Sequence, residues 1–260
     1  MRAVVNQQDT LLLHFDTGSF EVRLTREAIL HKTHLLADQP AGATPPNYNK
    51  LRPVTSLQLG TLTLPAPPVS TTRLTAAGMD GRFGYSLFEG KQVALDYDHQ
   101  RLLVYSRLPR RARRGYAHTR LRFRRSFVCA RGAFRIAGRT YAGDFLLDTG
   151  TSQALIVDST WVSQQQFPRT LPLLTTRVLR DPRGVKYETR VVRAPAFSLA
   201  RFEARDVPTG LLSAAQPTRF AINYAGGGLL KRFNLIFDFA HDRLYLRPNN
   251  RWGLPFREPA

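Results

Sequence analysis

The 260-residue sequence predicts an all-β protein that contains two related copies of one unit. Two matched blocks recur in the same order along the chain, which is the signature of an internal repeat. Most apolar stretches are short or alternate with polar residues, and Gly, Pro and Asn separate them, as is typical of strands joined by turns. We therefore expect two β-rich lobes that pack about a pseudo-two-fold axis.

The first matched block is an Asp-Thr-Gly tripeptide that follows an apolar run. It occurs at Asp16, after residues 11–13, and again at Asp148, after residues 145–147, so the offset is 148 − 16 = 132 residues. A hydroxyl residue follows each copy. A lone Asp-Thr-Gly has little specificity, but two copies in matched surroundings indicate a duplication.

The second matched block is a Gly-containing apolar stretch that leads into a strand, a turn and a second strand. Its aspartates, Asp96 and Asp238, are offset by 238 − 96 = 142 residues, so the second copy carries 142 − 132 = 10 extra residues. The block predicts one hairpin from strands 91–97 and 101–105 and another from strands 234–239 and 243–247. Short helical turns are expected at residues 87–89, 159–165 and 229–233. The repeat predicts these divisions of the chain: an N-terminal lobe over 1–108, a basic linker over 109–118, a C-terminal lobe over 119–250 and a tail over 251–260.

Arginine dominates the charge of this protein. The formal net charge is +19, and 38 basic residues less five lysines leave 33 arginines. Residues 107–125 contain nine of them and no acid. Basic and apolar residues alternate over 119–124, which predicts a strand with one solvated face. A surface that binds nucleic acid or another anionic partner stays open as the alternative.

Cysteine and histidine usage limits the chemistry. The single cysteine, Cys129, cannot form an internal disulfide, and we interpret it as a small buried apolar residue. No Cys or His cluster has metal-ligand spacing, so neither a metal nor another cofactor is expected. The sequence contains no apolar run of about 18 residues, and its first residues lack the apolar core of a secretory signal.

The two Asp-Thr-Gly loops resemble the active-site loops of pepsin-like and retropepsin-like aspartic peptidases. The downstream blocks are most similar to those of bacterial retropepsin-like aspartyl proteases with two tandem Asp-Thr-Gly lobes, and the resemblance covers residues 4–248. It implies the acid-protease fold, with two homologous β-barrel-like lobes and an active site in the cleft between them. It also implies an aspartic endopeptidase that acts on peptides or proteins as a monomer with an internal pseudo-dimer. Relatives of this kind are often exported, which favours a periplasmic or secreted protein.

This chemistry needs one carboxylate from each copy, and Asp16 and Asp148 supply them. Two carboxylates about 3 Å apart cannot both ionise cheaply, so one keeps a proton. The charged one takes a proton from water, and the neutral one donates to the substrate carbonyl oxygen. The titrations belong to the pair, so the sequence assigns neither role to a particular residue.

The resemblance also implies roles for the residues that follow each aspartate. Threonines would cross-bond beneath the pair, glycines would let the loops approach closely, and hydroxyls would bond the outer carboxylate oxygens. Because such bonds favour the charged form of a carboxylate, we expect an acidic pH optimum. The supporting residues are Thr17, Gly18 and Ser19 in the first loop and Thr149, Gly150 and Thr151 in the second.

A β-hairpin flap covers the site in these families. The candidates are residues 41–52, which contain Tyr48, and residues 180–190, which contain Tyr187. The sequence departs from the family pattern at Arg82, where the apolar support of the first loop carries a charge. This departure keeps a second hypothesis open, namely a catalytically inactive retropepsin-like protein that binds peptides.

Overall fold

A computed structural model describes residues 1–36, 47–180, 186–213 and 222–256, and the side chains of residues 179, 180 and 187 are outside the description. The chain divides into two compact units. The first contains Met1–Leu87, and the second contains Phe88–Leu179 and the described residues from Lys186 onward. The lobe boundaries predicted from the repeat stay a prediction, because repeat copies and compact units are different ways to divide a chain.

The first unit contains a seven-stranded sheet with the strand order β5-β4-β1-β2-β7-β3-β6. β2 alternates buried and accessible residues, so Leu11, Leu13 and Phe15 enter the core while Leu12 is exposed. One short helix follows β3, and the Thr25 hydroxyl caps it by accepting the Ala28 N–H at 3.1 Å. The elements are β1 (Arg2–Val5), β2 (Asp9–Phe15), β3 (Val22–Thr25), α1 (Arg26–Lys32), β4 (Ser56–Leu59), β5 (Leu62–Pro65), β6 (Val69–Thr72) and β7 (Gly81–Phe83).

The second unit contains a twelve-stranded sheet with the order β14-β15-β16-β13-β17-β12-β11-β10-β19-β18-β8-β9. Its elements are β8 (Gln92–Asp96), β9 (Arg101–Tyr105), β10 (Ala117–Arg124), β11 (Phe127–Ile136), β12 (Arg139–Asp148), β13 (Leu155–Val157), α2 (Ser159–Gln164), β14 (Leu173–Arg180), β15 (Lys186–Leu199), β16 (Phe202–Leu212), β17 (Asn223–Gly226), α3 (Gly227–Leu230), β18 (Phe233–Asp238) and β19 (Arg243–Pro248). Short 3-10 turns occupy Tyr85–Phe88 and Arg110–Arg113.

Aromatic side chains form much of the core of the second unit. Phe197 meets Phe134 and Phe145 edge-on, with ring centroids 4.9 and 4.8 Å apart. Gly132 leaves the space for this cluster, since an added Cβ would lie 2.5 Å from the Phe197 ring. Asp158 starts α2 by accepting the Thr160 N–H at 2.8 Å, and α2 places Trp161 beside these rings.

The all-β prediction is confirmed. Both predicted hairpins form, as β8–β9 and β18–β19, and a helical turn overlaps each of the three expected places. Helix α1 was not predicted. Among the described residues, no helix combines the length and the apolar character that crossing a membrane requires.

Candidate active site

The first Asp-Thr-Gly loop begins where β2 ends and folds back around the carboxylate of Asp16. The Gly18 N–H donates to Asp16 Oδ1 at 2.8 Å, and the Ser19 hydroxyl donates to Asp16 Oδ2 at 3.1 Å. Asp16 is only 7 % exposed and Ser19 only 6 %. These bonds hold the Asp16 carboxylate in place, and the supporting roles expected of Gly18 and Ser19 in a catalytic pair stay predictions.

Strand β7 supports this loop from beneath. The Asp16 N–H donates to the Phe83 carbonyl at 3.0 Å, and the Tyr85 N–H donates to the Ser19 carbonyl at 3.2 Å. Gly84 lies between these two bonds. A Cβ there would meet the Ser19 carbonyl oxygen at 2.4 Å, so only glycine lets the loop and its support approach so closely.

Arg82 brings a guanidinium to Asp16. Its Nε lies 3.3 Å from Asp16 Oδ2, and its side chain is 9 % exposed. Arg82 Nη1 donates to the Leu74 carbonyl at 3.0 Å, and Nη2 lies 3.4 Å from the Thr72 hydroxyl, to which it donates. The charge at the expected apolar position is therefore accommodated by an ion pair and hydrogen bonds to β6 and the segment after it.

His14 lies next to this ion pair. It precedes Asp16 by two residues on β2, and it stands opposite Arg82 in the β2–β7 ladder. Burial lowers the pKa of His14, and the Arg82 charge lowers it further, while the Asp16 charge raises it. His14 was not predicted from the sequence. In the sequence it is only a histidine two residues before the first Asp-Thr-Gly motif. Its position opposite Arg82 depends on the register of β2 against β7, which the sequence does not give.

The second Asp-Thr-Gly loop follows β12 and folds around Asp148 in a similar way. The N–H groups of Gly150 and Thr151 donate to Asp148 Oδ1 at 2.9 and 3.1 Å. The Thr151 hydroxyl differs from the expectation, because it accepts the Gln153 N–H at 3.4 Å, and the contact from Thr151 to Asp148 is made by its backbone. Ser19 and Thr151 thus occupy matched positions but use different groups.

Strand β17 supports the second loop as β7 supports the first. The Gly226 N–H donates to the Ala154 carbonyl, and the Gly227 N–H donates to the Thr151 carbonyl at 2.8 Å. A Cβ on Gly226 would lie 2.3 Å from the Gln153 carbonyl oxygen. The glycine that both copies share therefore has the same packing role in each unit.

Strands β7 and β17, which support the two loops, differ in charge at one matched position. Tyr224 stands opposite Leu146, two residues before Asp148, just as Arg82 stands opposite His14, two residues before Asp16. The offset 224 − 82 = 142 equals that of the second repeat block. The first aspartate thus has a guanidinium beside it, whereas the matched position of the second unit carries a phenol.

The two threonines of the motifs lie directly after the aspartates. Thr17 is fully buried, and Thr149 is half-buried. Their cross-bonding stays a prediction.

The candidate flaps fall partly outside the described residues. An antiparallel bridge joins Leu36 and Leu51, and residues 37–46 between them lie outside the described residues. The Tyr48 ring lies 5.0 Å from the Arg26 guanidinium, measured from its centroid. Tyr187 lies in β15, and its side chain is outside the description. The flap roles of both tyrosines stay predictions.

Part of the arginine-rich stretch forms strand β10, as the alternation over 119–124 predicted. Leu121 is buried, but Phe123 is 44 % exposed, so the predicted division into one apolar and one solvated face does not extend to Phe123. Arg120, Arg122 and Arg124 of β10 are exposed. Arg124 pairs with Asp144 at 2.6 Å, and Arg122 lies 3.6 Å from the same carboxylate, so part of the charge is balanced within the unit. In the part of the chain that the structure describes, no group of three His, Cys, Asp or Glu residues could hold a metal ion.

Comparison with known proteins shows the fold. A solved structure described as "Crystal structure of aspartic proteinase from Irpex lacteus" matches with a TM-score of 0.58 over 98 % of this chain and 95 % of that one, at 13 % sequence identity. No protein-family model matches the sequence. No curated protein matches it either. The chain therefore has the fold of aspartic proteinases.

Proposed function

We propose that this protein is an aspartic endopeptidase in which Asp16 and Asp148 form one pair that activates water for peptide-bond hydrolysis. The observation that carries the proposal is that both Asp-Thr-Gly loops hold a carboxylate with backbone N–H groups, at matched positions of an aspartic-proteinase fold. Peptide or protein substrates follow from this chemistry. Because both aspartates belong to one chain, a monomer is sufficient for activity.

The reaction needs one charged and one neutral carboxyl group on either side of a water molecule. The charged group accepts a proton from water while the water oxygen bonds to the peptide carbonyl carbon, and the neutral group gives its proton to the carbonyl oxygen. As the C–N bond breaks, the proton that the charged group accepted from water passes to the leaving nitrogen, and the other carboxyl group recovers a proton from the hydroxyl that becomes the carbonyl of the new carboxyl group. The buried bonds from Gly18 and Ser19 keep Asp16 in one geometry throughout, and Thr17 and Thr149 would fix the loops from below.

The retropepsin-like and bacterial assignment is a finer part of the proposal. It is supported by the second repeat block, in which Gly84 or Gly226 leads into a short helical turn and a closing hairpin. The residues of the flap, with Tyr48 and Tyr187 as candidates, would complete the substrate site by excluding water from it.

The direct test is cleavage of a denatured protein across a range of acidic pH. We expect wild-type protein to cleave it and Asp148→Asn to be inactive. The matched control is Asp144→Asn, four residues earlier on β12, which removes the partner of Arg122 and Arg124 and should leave cleavage close to wild type. Equal cleavage by wild type and Asp148→Asn would contradict the proposal.

A catalytically inactive peptide-binding protein is the second candidate, and the ion pair between Arg82 and Asp16 is the observation that favours it. Arg82 stands where the support of the first loop is expected to be apolar, and its Nε lies 3.3 Å from Asp16 Oδ2. Inhibitors of the pepstatin type mimic the transition state and occupy the carboxylate pair. Peptide binding without cleavage, and without binding of such an inhibitor, would favour this candidate.

A further inference from the structure

We propose that the second unit binds a phosphate-bearing ligand in a surface cavity that lies where β19 begins beside β10. The cavity has a volume of about 440 Å³, which is within the range of pockets that hold small ligands. Phosphate binding there would be independent of the proposed peptidase activity. The residues that line the cavity are His118, Thr119, Arg120, His241, Asp242 and Arg243.

Two arginines stand directly opposite each other at this cavity. Arg120 of β10 is the partner of Arg243 of β19 in the antiparallel ladder, and both residues are exposed. Like charges in such a cross-strand pair destabilise the sheet. An anion bound between them would remove this repulsion, and its oxygens would accept charge-assisted hydrogen bonds from both guanidinium groups.

Tyr245 brings a further arginine to this place. It follows Arg243 by two residues on β19, so the two side chains leave the same face of the strand. Tyr245 is buried, and the Arg243 side chain is hydrogen-bonded to it. Arg113 Nη1 donates to the Tyr245 hydroxyl at 3.2 Å. Three guanidinium groups are thus gathered around one stretch of the β10–β19 ladder, which favours an anion of more than one negative charge.

Two histidines and two acids complete the surroundings of the cavity. His241 Nδ1 lies 2.9 Å from Asp238 Oδ1, and Asp238 is only 4 % exposed, so a buried carboxylate fixes the orientation of the His241 ring. The His118 ring centroid lies 5.6 Å from that of Tyr245. Asp242 is the acid among the lining residues, and its negative charge opposes the binding of an anion.

Phosphate is the anion that these groups fit. The planar guanidinium group of arginine matches the oxygens of a phosphate in a bidentate geometry, and a phosphate has enough oxygens to bond two arginines at once. A long nucleic-acid strand would instead need a continuous basic track along β10. The next arginines of that strand, Arg122 and Arg124, are already close to the Asp144 carboxylate, so the structure favours a local site.

The first measurement is titration calorimetry with inorganic phosphate and with ribose 5-phosphate at constant ionic strength. We expect saturable binding to the wild-type protein, and an affinity about tenfold or more lower in Arg120→Gln and in Arg243→Gln, because each change removes a charged donor. Tighter binding of ribose 5-phosphate would identify a phosphate ester as the ligand, and equal binding would identify free phosphate.

The matched control is Arg135→Gln. It removes the same charge from an exposed arginine of β11 that is paired with Glu203 at 2.8 Å, and it should bind phosphate as the wild type does. Absence of binding to the wild type, or an equal loss in Arg135→Gln and Arg120→Gln, would overturn the proposal, because the second result would show that only the net charge matters.

Asp242→Asn tests the sign of the ligand charge. The residue has a φ of 51°, which asparagine also tolerates, so the turn should be retained. Removing the negative charge should tighten phosphate binding several-fold. Weaker binding by this variant would contradict an anion site.

The second measurement separates binding from a structural role. In buffer without phosphate, Arg120→Gln should melt at no lower a temperature than the wild type, because the cross-strand repulsion is relieved. Added phosphate should then raise the melting temperature of the wild type more than that of the variant. A variant that melts lower without phosphate, and gains as much from phosphate as the wild type, would overturn the proposal. So would a single-stranded oligonucleotide that binds both proteins equally while phosphate binds neither.

Discussion

The α-carbon of Gly84 lies so close to Ser19 that a Cβ atom would come within 2.4 Å of the Ser19 carbonyl oxygen. The same carbonyl accepts the Tyr85 N–H, so it cannot move away without losing a backbone bond. The first loop and its support are therefore packed backbone against backbone, and the position of Asp16 depends on the absence of a side chain at residue 84.

Gly84→Ala should lower the free energy of unfolding by about 2 kcal/mol or more, because the added methyl group forces backbone to shift. Urea unfolding would measure this loss. Gly253→Ala is the matched control, since a Cβ there meets nothing within 4 Å, and it should change stability by no more than about 0.5 kcal/mol. A tolerated Gly84→Ala would mean that the loop can move where we expect it to be fixed.

The C-terminal segment of the second unit is held by Arg232. Its guanidinium is mostly buried and donates to the carbonyls of Arg251, Trp252, Leu254 and Pro255, and burial lowers its pKa. Arg232→Ala should therefore reduce the free energy of unfolding by about 2–3 kcal/mol and make the segment more susceptible to proteolysis. Arg251→Ala is the control, because its side chain is exposed and its carbonyl stays in place. Equal stability of the two variants would contradict this role of Arg232.

Acidification should destabilise the first unit through His14. Burial lowers the pKa of His14 in the folded protein, so below about pH 6.5 the unfolded chain binds a proton more readily than the folded protein does. Stability is then lost as the pH falls. His14→Gln should lose less melting temperature between pH 7 and pH 5 than wild type, and parallel curves for the two proteins would contradict the prediction.

Cys129 should be unreactive in the folded protein. It is fully buried between neighbouring strands, and burial raises its pKa to about 12, so almost no thiolate forms at pH 8. Iodoacetamide at that pH should leave the native protein unmodified and alkylate the urea-unfolded protein once, as measured by mass spectrometry. Alkylation of the native protein at the rate of a free thiol would show that the strands open readily.

The repeat predicted much of this fold, because its signals are local. Gly, Asp and short apolar runs indicate the hairpins β8–β9 and β18–β19, whichever other strands these hairpins pair with in the sheet. The partners of those strands depend on contacts distant in sequence, and the antiparallel pairing of β8 with β18 joins residues more than 130 positions apart. No local pattern specifies such a partner.

The candidate site was predictable to a similar degree. The motif identified Asp16 and Asp148, and the backbone bonds from Gly18 and Gly150 follow from the turn that Asp-Thr-Gly makes. Arg82 was visible only as a charge in an apolar place. Its contact with Asp16 depends on the register of β2 against β7 and on a side-chain conformation, and neither is determined by neighbouring residues.

The most direct test of the central claim is the additivity of two substitutions. We would measure kcat/KM at acidic pH for wild type, Asp16→Asn, Asp148→Asn and the double variant. Groups that act as one catalytic unit lose nearly all of their effect when either is removed. We therefore expect each single variant to lose about 10³-fold or more, and the double variant to be no less active than the singles. Wild-type activity in either single variant would show that Asp16 and Asp148 do not form one catalytic pair.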